Sequence, residues 1–513
     1  MKASIAGPLP RVERVLAWLV WCTHSAAAFL IAIAVCNGRL HTWIQHWLRE
    51  SSYHPNFKMD LSDMEWAYYR GTICHLVFDY SLNSIGLYLI RKYLKPPYSY
   101  YAIIAFGFIL QIHMGSLKCV GVLYAFAALV TILTNFCRHY AICWIICISF
   151  IVKAYQYAPF SLGNAIYYRE FNIYLYGAIK IISANLFLCS NPKLGFKDVW
   201  LQTLLYYAYL PYSITLIVTF SDFKSQFQLW EVSSGIARSW REFAKAALRL
   251  IFWFFVFEAM LHFIYVNAIF NSPISIINSL NIYEACSVAY IVGQFFHLKY
   301  VVIFGVPAFF AFLDGMRPPP PPICISRVSL YSRMWRYFDN GLYQFLKHHV
   351  YIPVMSKPLP RFLSVLRGLM AIAAVFSVVL AWHGTKRHYL FWVSLSAFEL
   401  ITERIGSMIW RTEFVQNVRK NIGENWCRRI IATLMLLTVT PGIFGVFFFL
   451  GQEGVGESIF KNAVIQGFLD VINFNITIKP LSTGFGFLHI LTLGYFFNNV
   501  CLDLEYFKLN KKD

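Results

Sequence analysis

Asp339 and His383 are the side chains of this sequence best placed to move protons, and each stands at the end of an apolar stretch. Asp339 closes the run Met334-Trp335-Arg336-Tyr337-Phe338-Asp339. His383 sits in Ala381-Trp382-His383-Gly384, where the apolar run from Phe362 to Leu380 gives way to Thr385-Lys386-Arg387. An imidazole titrating near 6.5 takes a proton from an attacking nucleophile at neutral pH, while a carboxylate orients a cation or steadies a developing charge. Each residue also has a plain structural reading. Arg336, three positions before Asp339, would form an ion pair with it, and a lone histidine at a helix end is by default a satisfied one.

The surroundings of Asp339 carry a helical pattern. Trp335, Phe338, Leu342, Phe345 and His349 share one face of a helix, and Arg336, Asn340, Tyr343 and Lys347 mark a polar face. Asp339, Gly341, Lys347, His348 and His349 break the segment too often for it to span a bilayer, so it reads as a re-entrant or buried helix. Before it, the five prolines Pro318 to Pro322 make a stiff, extended connector that holds Cys324 in a restricted place.

A second pair of ionisable groups, Glu258 and His262, lies at i and i+4 in the apolar stretch Leu250 to Phe270. Such groups at membrane depth are paired or functional. A mutual hydrogen bond that locks this helix to a neighbour is the favoured reading, and a catalytic or metal role, or that of proton or ion residues in a scaffold or transporter, is the other. Cys143 and Cys147, also i and i+4, have no second pair to complete a zinc site and read as core packing.

These residues must be positioned by a membrane scaffold. With 58% hydrophobic, 18% aromatic and 13% charged residues and a mean hydropathy of +0.53, the chain lacks the polar surface of a water-soluble globule. A bilayer core of about 30 Å needs roughly 20 apolar residues per helix. The sequence is therefore an all-α, polytopic bundle of about ten spans plus re-entrant segments, expected as one domain over residues 1–513 with its reactive core at about 265–450.

Spans are expected near Val15–Cys36, Tyr68–Ile90, Tyr98–Met114, Val120–Phe136, Ala141–Tyr157, Tyr174–Leu188, Leu204–Phe220 and Leu250–Phe270. Others follow near Ile282–Phe312 (interrupted at Gly293, Gly305 and Pro307), Phe362–Leu380, Tyr389–Ile401, Ile430–Leu450 and Gly484–Phe497. An aromatic segment at the interface, His41–Trp66, follows the first. Lys224–Arg249 reads as a surface helix, and Glu403, Arg404, Arg411 and Glu413 as loop charges. The net charge of +19 is scattered through short loops, which fits positive-inside topology rather than nucleic-acid binding and predicts both ends on the cytosolic side.

Lys299 to Asp314, the run ending in Asp339, Tyr351-Ile352-Pro353 and Trp382-His383-Gly384 together resemble the membrane-bound O-acyltransferase family, in its branch that acylates secreted hedgehog-type proteins. The likeness is strongest from about Tyr265 to Gly384. It implies an endoplasmic reticulum membrane enzyme, with the Golgi as the other location, that moves palmitoyl from palmitoyl-CoA to the α-amino group of an N-terminal cysteine on a secreted hedgehog-type protein. By motif match it implies His383 and Asp339 as catalytic residues, Trp335 and Arg336 as acyl-CoA-binding, and Cys324 as the axial ligand of a haem iron. Another secreted protein or a lipid as acceptor is the alternative within the family. Catalytically silent members lack the histidine, which this chain retains. The stretch Thr215 to Phe223 departs from the family pattern, which has a Gly-Pro pair before a Ser-Phe-Ser-Glu-Phe element.

Overall fold

The computed structural model describes residues 7–157, 163–233, 239–356, 360–479 and 481–510. Among them, eight helices are long and apolar enough to cross a membrane: Arg11–Asn37, Met64–Tyr93, Leu117–Cys137, Ile166–Ser190, Ile282–Leu313, Leu363–His383, Glu413–Leu450 and Thr483–Lys508. Two shorter apolar helices, Tyr98–Met114 and Tyr140–Ala154, accompany them, in line with the expected ten or so. Large apolar side chains face outward from several of these helices, among them Leu30, Phe136 and Ile145. Water would oppose such a surface and lipid accepts it. The protein is a multi-pass helical membrane protein.

The helices begin and end where local chemistry dictates. Asp63 caps Met64–Tyr93, accepting from the Trp66 N–H. Asn281 accepts from the N–H groups of Tyr283 and Glu284 while Glu284 returns to the Asn281 N–H, a reciprocal box at the start of Ile282–Leu313. That helix runs 32 residues without a break, against the expected interruption. Pro307 removes only one N–H, and burial of most of the surrounding turns offsets the loss.

Other expectations are corrected. Leu204–Phe220 is not a span: the helix Phe196–Ala208 ends there, a short 3-10 turn Leu210–Tyr212 follows, and residues 213–219 run irregularly through the interior. Its backbone is satisfied by neighbours, as when the Tyr206 hydroxyl donates to the Val218 carbonyl at 2.6 Å and the Phe220 N–H donates to Ser183 Oγ at 2.9 Å. Helix Trp240–Met260 begins inside the expected surface segment and stops ten residues before Phe270. The His41–Trp66 segment contains a β-hairpin, Leu48–Glu50 against Lys58–Asp60, antiparallel with Leu48 opposite Asp60. Glu403 and Arg404 lie within helix Arg387–Trp410, not in a loop.

Glu258 and His262 each lock the end of Trp240–Met260 to its neighbours. The buried Glu258 carboxylate accepts from Arg70 Nε at 2.8 Å, Trp66 Nε1 at 3.2 Å and the Tyr53 hydroxyl at 3.1 Å. His262 Nδ1 donates to the Glu258 backbone carbonyl at 2.7 Å, and its Nε2 lies 2.7 Å from Ser51 Oγ. Their side chains do not bond each other, yet both tie this helix end to the hairpin region. Cys143 and Cys147 are fully buried, and no cluster of three or more possible metal ligands occurs among the described residues.

Candidate functional site

The single helical face expected through Trp335 and His349 is broken at Asp339. Tyr331–Phe338 and Asn340–Leu346 are separate helices, and Asp339 between them has φ −118° and ψ 89°. The reason is local: Asp339 turns its carboxylate onto the Leu342 N–H at 2.9 Å, capping the second helix, and an Asx cap holds its own backbone out of the helical region. Burial pushes this carboxyl up to about 6, against the lowering effect of the Leu342 and Gly341 N–H groups.

Distant segments fix the two helices. Both oxygens of Glu403 receive the N–H groups of Tyr331 and Ser332 at the first helix start, an anion at a helix N-terminus. The Tyr337 carbonyl accepts from Ile323 N at 3.0 Å, tying the end of the proline connector to the last turn. Gly341 rests on the irregular 213–219 segment, where a methyl group in its place would strike the Ile217 carbonyl oxygen.

His383 is the last residue of Arg361–His383. Gly384, at φ +104°, turns the chain away as only glycine does at low cost. The imidazole stands edge-on to Trp392 (centroids 5.3 Å apart) and to Phe449 (5.0 Å), and the described residues give it no hydrogen-bond partner. It is thus not the satisfied helix-end histidine of the plain reading. Trp335 stacks on Trp392 at 5.7 Å. Phe338 stacks on Phe296 at 5.2 Å, and Phe296 in turn meets Phe449 at 5.8 Å. The residues flanking Asp339 therefore reach His383 through two aromatic chains.

A narrow cavity of about 10 Å³ joins the two motifs, lined by Ile179, Leu342, Phe345, Val378, Trp382 and His383 among others. Apart from His383 and the Trp382 ring its walls are aliphatic and phenyl side chains. Tyr176 stands edge-on to Trp382 at 5.1 Å and lies within electrostatic reach of Asp339.

Arg336 does not pair with Asp339. Its guanidinium lies 5.4 Å from the Tyr343 ring and 6.0 Å from that of Tyr337, and its buried Nε has no partner among the described residues. A guanidinium held by aromatic faces and free of carboxylates suits a phosphate-bearing ligand. Cys324 is partly buried at the end of the proline run and lies near Cys501. Among the described residues no group of three or more possible metal ligands includes it, and nothing else there supports haem.

The sequence reading missed the aromatic wall of Trp392, Phe449 and Phe296, and a polar group beside it: Lys299 Nζ lies 2.7 Å from Asp63 and 2.8 Å from Glu65. A lysine inside an apolar run was the signal available for the second.

A profile of the MBOAT, membrane-bound O-acyltransferase family matches residues 90–438. The chain is 31% identical over 280 residues to mouse (Mus musculus) protein-cysteine N-palmitoyltransferase HHAT, covering 54% of this chain and 55% of that one. It is 29% identical over 231 residues to protein-cysteine N-palmitoyltransferase Rasp of Drosophila melanogaster, 45% of each, and 24% identical over 290 residues to a mouse HHAT-like protein, 55% of this chain and 54% of that one. The chain thus spans about half the length of the curated relatives it matches. With the family profile covering well over half of a multi-pass helical chain, and with Asp339 and His383 both inside the matched region, this protein belongs to the membrane-bound O-acyltransferase family.

Proposed function

We propose that the chain transfers palmitoyl from palmitoyl-CoA to the α-amino group of an N-terminal cysteine on a secreted hedgehog-type protein, in the endoplasmic reticulum membrane. The observation that carries this reading is the His383 imidazole, without a hydrogen-bond partner among the described residues, lining an apolar slot that it shares with the helix following Asp339. The likeness to two protein-cysteine N-palmitoyltransferases supports the choice of donor and acceptor.

In this reading the thioester comes to His383, and the slot of about 10 Å³ beside it must widen to admit the acyl chain. The amine attacks the carbonyl carbon, a C–N bond forms, the C–S bond breaks and CoA leaves as its thiolate. His383 removes the proton that the amine sheds and passes it toward the departing sulfur. An α-amino group, with a reference pKa of about 7.7 to 8.0, is already partly neutral at pH 7, so a weak base suffices. Asp339 orients the amine and steadies its charge during attack. Arg336 holds phosphate of the CoA, and Trp335 walls the acyl path. The reactive core falls within 265–450 of one multi-pass domain.

The test is direct. Purified protein receives palmitoyl-CoA and a peptide beginning with cysteine, and mass spectrometry locates the added group. Amide-linked palmitate, stable to hydroxylamine and absent from His383→Ala and Asp339→Ala, is expected. A hydroxylamine-labile product would replace the amine by a hydroxyl or thiol acceptor, and undiminished transfer by either variant would remove that residue from the chemistry.

A further inference from the structure

We infer that Asp63, Glu65 and the Tyr168 hydroxyl form the seat of the acceptor's positively charged N-terminal amine, a role that rests on the transfer proposed above and uses residues outside its chemistry. Lys299, on Ile282–Leu313, reaches Asp63 Oδ2 at 2.7 Å and Glu65 Oε2 at 2.8 Å, and the Tyr300 hydroxyl lies 3.0 Å from both oxygens of Glu65. Two carboxylates thus face one ammonium, leaving one negative charge in excess. Asp63 is already accounted for as the cap of Met64–Tyr93, so Glu65 is the carboxylate in excess of what the lysine needs.

Exposure is divided to match. The Lys299 side chain is 7% exposed, whereas Asp63 and Glu65 keep 21% and 35%, so the cation is sealed behind anions that a ligand can reach. Tyr168, 7% exposed, adds the independent mark: its hydroxyl has no hydrogen-bond partner among the described residues, and its ring stands 6.3 Å from that of Tyr68 and 6.5 Å from that of Tyr69, one turn beyond Glu65. Buried hydroxyls are rarely left so unless something arrives to meet them. The Tyr300 ring meets that of Phe338, the residue before Asp339, at 5.9 Å, which puts the seat beside the Asp339 turn. An arriving alkylammonium presents three N–H donors to such an array, enough for the two carboxylates and the phenol oxygen together, before it moves to Asp339 and sheds the proton that frees its lone pair.

The experiment separates binding from turnover in the full-length protein. Tyr168→Phe removes a hydroxyl that bonds nothing among the described residues, so its melting temperature should equal or exceed that of wild type while the KM for a cysteine-initial peptide rises about fivefold. Glu65→Gln should raise that KM by about tenfold or more, with a smaller change in kcat, and both should leave the KM for palmitoyl-CoA within about twofold. Unchanged acceptor KM in both variants, or a lowered melting temperature for Tyr168→Phe, overturns the assignment. If the wild-type protein transfers nothing, the proposed function falls separately, and the seat is then read from binding of the fluorescently labelled peptide: equal affinities of wild type and Glu65→Gln sink it.

Discussion

Asp339→Asn should abolish transfer while making the protein more stable. Asparagine caps helices as well as aspartate does, so the bond to the Leu342 N–H at 2.9 Å survives. What disappears is a charge in an unfavourable place. Moving a carboxyl from 3.8 in the unfolded chain to about 6 in the fold corresponds to about 3 kcal/mol of penalty on the ionised form at neutral pH. Because the folded-state value is raised, the wild-type fold carries no such penalty below about pH 4 and acquires it as pH climbs toward 6. Screening and relaxation will leave a fraction of it, so Asp339→Asn should melt a few degrees above wild type at pH 7. That gap should close at pH 4. A melting series in detergent by intrinsic fluorescence, run beside the peptide assay, reads both quantities. Wild-type activity should fall as pH drops through about 6, since the ionised carboxylate is the working form. A variant that melts below wild type at pH 7, or that keeps its turnover, would refute the reasoning.

Four other outcomes follow from the geometry. His383→Gln should retain acyl-CoA binding yet lose amide formation by two orders of magnitude or more, read from single-turnover assays, because general-base removal costs about 10²–10⁴ in rate. Gly341→Ala should lower both melting temperature and kcat, since its methyl must displace the Ile217 backbone; an unaltered protein would show that the 213–219 segment yields easily. Arg336→Met should raise the KM for palmitoyl-CoA while sparing that for the peptide, a split measurable by varying each substrate alone. Arg428→Met should reduce yield and thermal stability by about 1–3 kcal/mol: Arg428 is fully buried and donates to Asp503 at 2.8 Å and to the Asn499 carbonyl at 3.0 Å, and although Asp503 keeps Arg14 at 2.9 Å, the Asn499 acceptors lose their donor.

How far the sequence could be read depended on whether the signal was local. Tyr98–Met114 was expected at the bounds observed, because an apolar run between turn residues determines its own ends. Residues 204–220 were misread for the same reason. Their composition is that of a span, and only the tertiary partners of their irregular backbone, such as Ser183 and Tyr206, distinguish a buried loop from a helix. At Asp339 two local signals competed. The apolar periodicity ran straight through, whereas the Asx cap ended one helix and began another, and the cap won. Asp339 and His383 stood out by residue type, but Trp392, Phe449 and Phe296 did not. An aromatic wall assembled from three separate segments has no spacing to detect.

The wall around His383 also bears on what happens to an acyl group that waits. A thioester is reactive toward water as well as toward amines, and water is by far the more abundant. Beside His383 there are ring faces and methyl groups, and the adjoining space of about 10 Å³ is close to the least volume that holds one water molecule. For a transferase this fixes the partition between productive transfer and wasteful hydrolysis by access rather than by intrinsic nucleophilicity. Opening the wall, as Phe449→Ala would, should therefore show itself first as leakage: free palmitate accumulating in the absence of acceptor, before any fall in the rate of amide formation.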